Sequence, residues 1–267
     1  MAAINWSTIQ FERETSDPRI GYLTINRPEV YNALNYQVGT ELLEFIALAK
    51  QDSSLKVIIV KGAGEKAFVS GADIKEMSAF SMEQVYTISR RGQTINDSIE
   101  ALDQVVIAAI HGFALGGGCE LALACDIRVA TSGSYIGIPE VTLGTIPGHG
   151  GTQRLARLIG KGRAKEMAFT GKPVCAQRAY EIGLVNHVVE TKEELMSYCL
   201  DLAKQILKNG MYAVSRAKHA IDEGLEMDLR RGEEHEATFL AITFATSDFK
   251  EGVSAFLEKR PPRFSRS

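Results

Sequence analysis

The chain has 267 residues, long enough to bury a large core in one domain or in a domain with an appendage. Apolar residues make up 45% of it and charged residues 24%, the balance of an ordinary globular protein. Its formal net charge of −3 argues against a general nucleic-acid binder. No stretch approaches the ~18 uncharged apolar residues of a membrane-spanning helix. From the charge we therefore expect no nucleic acid as a partner, and from the lack of such a stretch no membrane.

The cysteines and histidines do not form a metal-binding pattern. The four cysteines show no CxxC spacing, and the five histidines form no HExxH or other ligand spacing. Cys119 and Cys125 lie in apolar runs, as free thiols of a reducing compartment commonly do. The acid-rich N-terminus lacks the cationic and apolar regions of a secretory signal. We therefore expect a cytoplasmic protein without a metal site.

Strands alternate with helices over the first part of the chain. Runs of β-branched residues predict strands over 20–26, 56–60, 105–110, 126–129 and 184–189. Apolar residues at helical spacing lie between these runs and predict helices over 37–49, 82–102 and 119–125. This alternation predicts an α/β core domain over residues 1–191.

From residue 192 the pattern is helical throughout. Breaks at Asn209-Gly210 and Gly224 separate four predicted helices, over 192–208, 210–223, 226–246 and 248–258. Residues 238–245 are apolar on nearly every side, which indicates packing against the main domain or against another subunit. We therefore expect residues 192–267 to form a distinct helical region.

One glycine-rich turn imitates a cofactor-binding motif. Residues 62–67 follow a predicted strand and match the loose GxGxxA dinucleotide pattern. However, residues 68–71 do not continue as a helix, and no acid ends a second strand about twenty residues later. The chain also has neither a P-loop nor a GxSxG nucleophile elbow. We expect no bound cofactor.

The most informative block is the glycine-rich turn that follows the apolar strand 105–110. Gly116, Gly117 and Gly118 let a strand turn sharply into a helix and let the backbone approach a ligand closely. Free N–H groups at the start of that helix can stabilise a negative oxygen, and Glu120 stands in its first turn. In a second interpretation the glycines serve only close packing, and Glu120 only complements the helix dipole.

A second turn, over residues 70–77, has the same layout. Gly71 is followed by the small Ala72 and then by Asp73, which we interpret as a helix cap. The backbone N–H of Ala72 is then a second exposed donor. Two such donors that converge on one oxygen make an oxyanion hole.

A third element surrounds Glu140. Prolines and glycines on both sides of it indicate a rigid, closely packed loop over residues 138–151. A carboxyl group buried in such a loop has a raised pKa and can donate a proton at neutral pH. Taken alone, Glu140 fits a surface loop equally well.

Together these motifs resemble the enoyl-CoA hydratase (crotonase) family over essentially the full chain. Near the start, the matching residues are Asn26-Arg27-Pro28 and Asn32-Ala33-Leu34. Further matches cover 67–75, the glycine-rich block 112–122, the loop and helix at 139–155 and the ending 254–260. Several long motifs that follow one another in the same order do not match a family by chance.

The resemblance implies a crotonase-like spiral of ββα repeats, with a C-terminal helical region at 192–267 that builds trimers, often paired into hexamers. It implies that the backbone amides of Ala72 and Gly117 hold a thioester carbonyl. Coenzyme A is then part of the substrate rather than a cofactor, and its contacts would be Ser70, Ala72, Asp73, Ile74, Lys75 and Gly117. Lys259 would contact a CoA phosphate, on its own or a neighbouring subunit.

The resemblance also assigns roles to the two acids. Glu120 would act as the base on a water molecule, Glu140 would protonate the α-carbon, and the N–H of Gly148 would hold the same water. Because both glutamates are present, we expect reversible hydration of a trans-2-enoyl-CoA to a 3-hydroxyacyl-CoA. The alternatives are an enoyl-CoA delta-isomerase, a hydratase of a cyclic dienoyl-CoA and, outside enzymes, an RNA-binding or assembly module.

Two positions depart from the residues usual in that family. Ile138 stands where hydratases commonly have glutamine, and His149 stands where a small or apolar residue is more usual. We favour a neutral packing change at both positions. The other interpretation is an acyl pocket reshaped for a branched or cyclic group.

Overall fold

The computed structural model describes residues 5–265; residues 1–4 and 266–267, the outer ends of the two predicted regions, lie outside the described residues. The strands are β1 (Ile9–Arg13), β2 (Ile20–Ile25), β3 (Val57–Gly62), β4 (Ala67–Val69), β5 (Val105–Ile110), β6 (Phe113–Leu115), β7 (Ile127–Thr131), β8 (Tyr135–Gly137), β9 (Val174–Cys175) and β10 (His187–Val189). The α-helices are α1 (Tyr36–Gln51), α2 (Ile74–Met77), α3 (Met82–Glu100), α4 (Gly117–Leu123), α5 (Gly151–Ile159), α6 (Lys161–Thr170), α7 (Ala176–Glu181), α8 (Lys192–Ile206), α9 (Met211–Gly224), α10 (Leu229–Phe244) and α11 (Ser247–Leu257). Short 3-10 helices occupy Pro28–Val30 and Glu140–Leu143.

The strands form two sheets. The larger sheet has the order β1-β2-β3-β5-β7-β10 and is parallel except for the antiparallel pair of β1 and β2. The smaller sheet has the order β4-β6-β8-β9, in which β4, β6 and β8 are parallel and β9 runs antiparallel to β8.

The chain passes through these sheets in repeating ββα units. β3, β5 and β7 each enter the larger sheet, and the strand that follows each of them, β4, β6 or β8, enters the smaller one. A helical segment follows each pair of strands. This architecture confirms the predicted α/β fold class, a crotonase-like spiral of ββα repeats followed by helices. Because β4, β6 and β8 are parallel neighbours, the turns that follow them lie side by side at one edge.

The central strands are apolar along nearly their whole length because both faces of the larger sheet are covered. Ile58 and Val60 of β3 pack in one core with Phe45 of α1. Ile59, which points to the opposite face, packs in a second core with Cys199 of α8. The larger sheet therefore lies between two apolar cores.

All of the strands and helices predicted from periodicity occur, with shifted ends. The strand at 105–110 matches β5, whereas the strand predicted over 184–189 begins only at His187. The helix predicted over 226–246 begins at Leu229, because the side chain of Asp228 accepts the N–H of Arg231 as an N-cap. The elements that periodicity did not predict are β1, the short strands β4, β6, β8 and β9, and the α-helices α2, α5, α6 and α7.

Glycine at position 118 lets α4 contact the smaller sheet directly. A Cβ atom at Gly118 would lie 2.0 Å from the carbonyl oxygen of Val69, at the end of β4. No larger residue fits there. The start of α4 is thereby held against the turn at 70–73, which brings the two predicted oxyanion donors together.

The C-terminal helices differ in how they are covered. Leu195, Cys199 and Ala203 of α8 are buried on the larger sheet. In contrast, α10 packs chiefly against α9 and has no buried residue along its 16 residues. The division of the chain at residue 192 stays a prediction. Within residues 5–265, no helix is long and apolar enough to cross a membrane.

Candidate active site

A cleft of about 810 Å³ opens at the edge where the turns after β4, β6 and β8 meet. The turn at 70–78, the start of α4 and the loop at 139–150 form one side of it, and α1 and α3 form the other. Five of the residues predicted from the sequence line this cleft together: Ala72, Gly117, Glu120, Glu140 and Gly148. Ser70 and Ile74 line it as well.

The amides of Ala72 and Gly117 lie next to each other. A Cβ atom at Gly117 would be 3.7 Å from the amide nitrogen of Ala72. Leu34 and Ala72 form an isolated parallel β-bridge. The N–H of Leu34 donates to the carbonyl oxygen of Gly71, and the carbonyl oxygen of Leu34 accepts from the N–H of Asp73. The N–H of Ala72 therefore points away from Leu34. Gly117 is the first residue of α4, so its N–H has no partner within the helix. Two backbone amides without a partner in a helix or bridge therefore lie next to each other in the cleft.

Glu120 is almost completely buried, with 2% of its surface exposed. Its Oε1 accepts hydrogen bonds from the backbone N–H of His149 at 2.8 Å and of Gly151 at 2.7 Å. A Cβ atom at Gly151 would lie 2.9 Å from Oε1, so this approach requires glycine. Burial raises the pKa of Glu120, whereas the two amide donors and the charge of Arg154 counteract the rise.

Glu140 has a different environment. It begins the 3-10 helix Glu140–Leu143, and its Oε1 would lie 2.8 Å from a Cβ atom at Gly116, whose φ of +51° also favours glycine. Its Oε2 is buried and has no hydrogen-bond partner among residues 5–265. Burial and the nearby charge of Glu120 raise the pKa of Glu140 to about 7. This carboxyl group can therefore hold a proton near neutral pH.

Helix α3 fixes the loop that holds Glu120. Ser89 Oγ and Gln93 Nε2 donate to the carbonyl oxygen of Gly148 at 2.6 and 2.9 Å. The buried Asn96 donates through Nδ2 to the carbonyl oxygen of His149 at 2.9 Å. The roles of these three side chains were not predicted from the sequence. Their spacing at 89, 93 and 96 places them on one face of the helix, but such a polar face usually faces solvent.

The remaining predicted residues lie apart from the centre of the cleft. Asp73 occupies the N-cap position of α2, and its Oδ2 pairs with Arg27 at 3.0 Å. Lys75 and Lys259 are not among the described residues that line the cleft. Their contact with CoA stays a prediction, as does that of Asp73.

The two unusual positions have different surroundings. Ile138 is buried in the main core beside the smaller sheet, as a packing residue is. The side chain of His149 instead lines the cleft, where its Nδ1 lies 4.0 Å from Oε2 of Glu120. Burial lowers the pKa of His149, which favours the neutral form of the ring.

The described part of the chain contains no group of three or more His, Cys, Asp and Glu side chains arranged to hold a metal ion. Among the polar groups that line the cleft are the carboxyl groups of Glu120 and Glu140, backbone amides and the ring of His149. Such a set can transfer protons and stabilise a negative oxygen.

The sequence profile of the family described as "Enoyl-CoA hydratase/isomerase" matches residues 15–267. The chain belongs to this family. The resemblance seen in the glycine-rich motifs therefore extends over nearly the whole chain.

Relatives in this family are similar over almost their full length. The chain is 44% identical to "Crotonyl-CoA hydratase" of Syntrophomonas wolfei over 248 residues, which cover 93% of this chain and 95% of the relative. It is 43% identical to "Short-chain-enoyl-CoA hydratase" of Clostridium acetobutylicum, over 91% and 92% of the two chains. A solved structure of an enoyl-CoA hydratase from Bacillus anthracis matches with a TM-score of 0.93 and 41% identity, covering 98% of this chain and 100% of that one.

The electrostatic link between the two glutamates is testable in the free protein. Glu120→Gln removes a negative charge that helps to raise the pKa of Glu140. We expect the pKa of Glu140 to fall below about 7 but to stay above the ordinary 4.5, because burial, the larger cause, remains. A pH titration of ¹³C-labelled glutamate carboxyl groups by NMR measures the pKa of Glu140 in the wild type and in the variant.

Glu76→Gln is the matched control, since Glu76 lines the same cleft and the substitution makes the same change of charge. It should leave the pKa of Glu140 in place. An unchanged pKa in the Glu120 variant, or equal shifts in both variants, would contradict the link.

Proposed function

We propose that this protein is an enoyl-CoA hydratase, which reversibly adds water to a trans-2-enoyl-CoA to give a 3-hydroxyacyl-CoA. The observation that carries the proposal is one cleft with two glutamates in unlike environments beside two adjacent backbone donors. The relatives from Syntrophomonas and Clostridium, both named as hydratases of enoyl-CoA thioesters, support it.

The reaction first requires a site that binds the carbonyl oxygen of the thioester. The N–H groups of Ala72 and Gly117 would hold the thioester carbonyl oxygen. As water adds at the β-carbon, negative charge moves to this oxygen and an enolate forms. Preorganised donors that act where the charge develops lower the barrier, often by several kcal/mol. The chemistry then calls for no metal ion and no redox cofactor, and coenzyme A is part of the substrate.

Glu120 is the base in this proposal. The amides of His149 and Gly151 bind its Oε1 and favour the charged form, so Oε2 is left to receive a proton from the attacking water. The N–H of Gly148, which also lines the cleft, would hold that water. The hydroxide portion then bonds to the β-carbon.

Glu140 is the acid. Its raised pKa keeps a proton on the carboxyl group near neutral pH, and that proton would pass to the α-carbon as the enolate collapses. The product gains one hydroxyl group and one hydrogen, the elements of one water. Glu120 ends the cycle protonated and Glu140 charged, and a proton exchange between them or with solvent restores the starting state.

The CoA portion would lie along the turn at 70–75. Ser70 and Ile74 line the cleft at that turn and support this placement. Asp73, Lys75 and Lys259 complete the proposed contacts with CoA.

The four cysteines are free thiols, which supports a reducing compartment such as the cytoplasm.

We also infer self-association through residues 192–267, to a trimer or a hexamer. Large apolar side chains of this region are strongly exposed in the single chain, among them Leu225, Leu229, Leu240, Phe244 and Phe256. An apolar surface of this extent that is exposed in the single chain is typically covered by another subunit. The 16 residues of α10 without a buried member support the same conclusion.

The hydratase proposal is tested with crotonyl-CoA. The wild-type protein should remove the absorbance of the conjugated thioester, and Glu120→Gln or Glu140→Gln should each lower kcat by about 10²–10⁴-fold, because each removes one proton-transfer group. Glu181→Gln, an exposed residue of α7, is the control and should keep wild-type activity.

Loss of activity in only one of the two glutamate variants would contradict the proposal that both residues transfer protons. A protein that leaves every short, medium and cyclic enoyl-CoA unchanged contradicts the proposal. If Glu120→Gln keeps full activity on a 3-enoyl-CoA while the wild type does not hydrate, the delta-isomerase alternative holds instead.

Self-association is tested by sedimentation of the purified chain. The wild type should sediment at three or six times the chain mass of 29.2 kDa. Leu240→Glu places a charge on the exposed apolar side of α10 and should give smaller species. Thr238→Glu adds the same charge on the opposite side of the helix and should leave the assembly intact. A monomeric wild type would contradict the inference.

A further inference from the structure

The ring of His149 has a defined seat in the cleft. It lies against Gly92 of α3, where a Cβ atom would be 2.3 Å from Cδ2 and 2.4 Å from Cγ of the ring. On its other side, Nδ1 lies 3.5 Å from the Cβ position of Gly117 and 4.0 Å from Oε2 of Glu120. The ring is therefore enclosed between α3 and the start of α4, at the reacting end of the cleft.

Glycine at position 92 makes the space for this ring. Gly92 is buried inside the 19-residue helix α3, where glycine costs roughly 1 kcal/mol relative to alanine. Any side chain at 92 would overlap the ring as it stands, because carbon atoms do not approach to 2.3 Å. Gly92 and His149 are therefore a matched pair, in which one residue leaves the volume that the other fills.

The backbone around His149 holds the ring in this seat. The N–H of His149 donates to Glu120, and its carbonyl oxygen accepts from the buried Asn96. The preceding carbonyl, of Gly148, accepts from two further side chains of α3. These hydrogen bonds hold the backbone from which the ring projects, and the ring itself is enclosed between Gly92 and the start of α4.

We propose that His149 is a specificity-determining residue, whose ring on Gly92 closes the cleft beside Glu120 to acyl groups branched or cyclic at the β-carbon. The inference rests on the proposed function, because Glu120 marks the place of the β-carbon only in that reaction. A wall at this point meets substituents on the reacting carbons rather than the end of the acyl chain. One added methyl or methylene group in a closed pocket changes kcat/KM by about 10–200-fold.

The test compares crotonyl-CoA with 3-methylcrotonyl-CoA, which differs by one methyl group at the β-carbon. His149→Ala should raise the ratio of kcat/KM, branched over linear, by at least about 10-fold. His149→Phe keeps a ring of similar size and should leave the ratio near the wild-type value. The ratio is independent of the folded fraction, since both substrates are measured on one preparation. His187→Ala, an exposed histidine of β10, is the control.

The ratios for the variants and the activity of the wild type decide separately on the inference and on the proposed function. An unchanged ratio in His149→Ala overturns the inference. An equal shift in His149→Phe also overturns it, because the polarity of the imidazole rather than its volume would then decide. If the wild type hydrates neither thioester, the proposed function fails together with the inference. If it hydrates crotonyl-CoA and the ratio does not move, the inference alone fails.

The matched pair can also be tested without substrate. Gly92→Ala should lower the melting temperature of the wild type, because the new methyl group meets the ring. In the His149→Ala background the same change should be neutral or stabilising, since alanine is a better helix former than glycine. Equal effects of Gly92→Ala in both backgrounds would contradict the proposed seat of the ring.

Discussion

Burying two carboxyl groups in one cleft is unfavourable unless one of them carries a proton, and the rest of the site depends on this constraint. The structure resolves it by giving the two groups unlike partners. Burial raises the pKa of Glu120, but two backbone amides bind it and counteract this rise. Glu140 has one buried oxygen without a partner among residues 5–265, and its pKa rises to about 7. In the proposed mechanism, these unlike environments make one glutamate the base and the other the acid.

The fold brings these groups together through its repeat. Each ββα unit contributes one strand to the smaller sheet, and the parallel order of β4, β6 and β8 stacks the turns that follow. Ala72, Gly117 and Glu140 each come from a different turn of this stack. Glycines at 118 and 151 permit two close approaches, of helix to strand and of backbone to Glu120. The chemistry is therefore distributed over distant parts of the sequence but lies at one edge.

Much of this arrangement can be predicted from the sequence, because it depends on local patterns. The strand at 105–110 and the glycine turn after it follow from apolar runs and backbone freedom, and both proposed donors follow from those turns. Strands of two or three residues, such as β8 and β9, are too short to show a periodicity. The side chains of Ser89 and Asn96 could not be assigned, since only tertiary packing turns their polar face towards the loop at 148–149.

His149 illustrates the same limit. Its sequence position marks it as unusual, but the distance of 4.0 Å from Glu120 and the space above Gly92 appear only when α3 packs on the loop. Fifty-seven positions separate Gly92 from His149 in the chain. No local pattern links them.

The central claim is that Glu140 must be protonated for the reaction, and the pH dependence of kcat/KM for crotonyl-CoA hydration tests it most directly. This profile reports the ionisation of groups in the free enzyme. Because the acid form of Glu140 is the active one, kcat/KM should fall as the pH rises through about 7. A rate that stays constant from well below to well above this pH, or one that increases through it, would contradict the account.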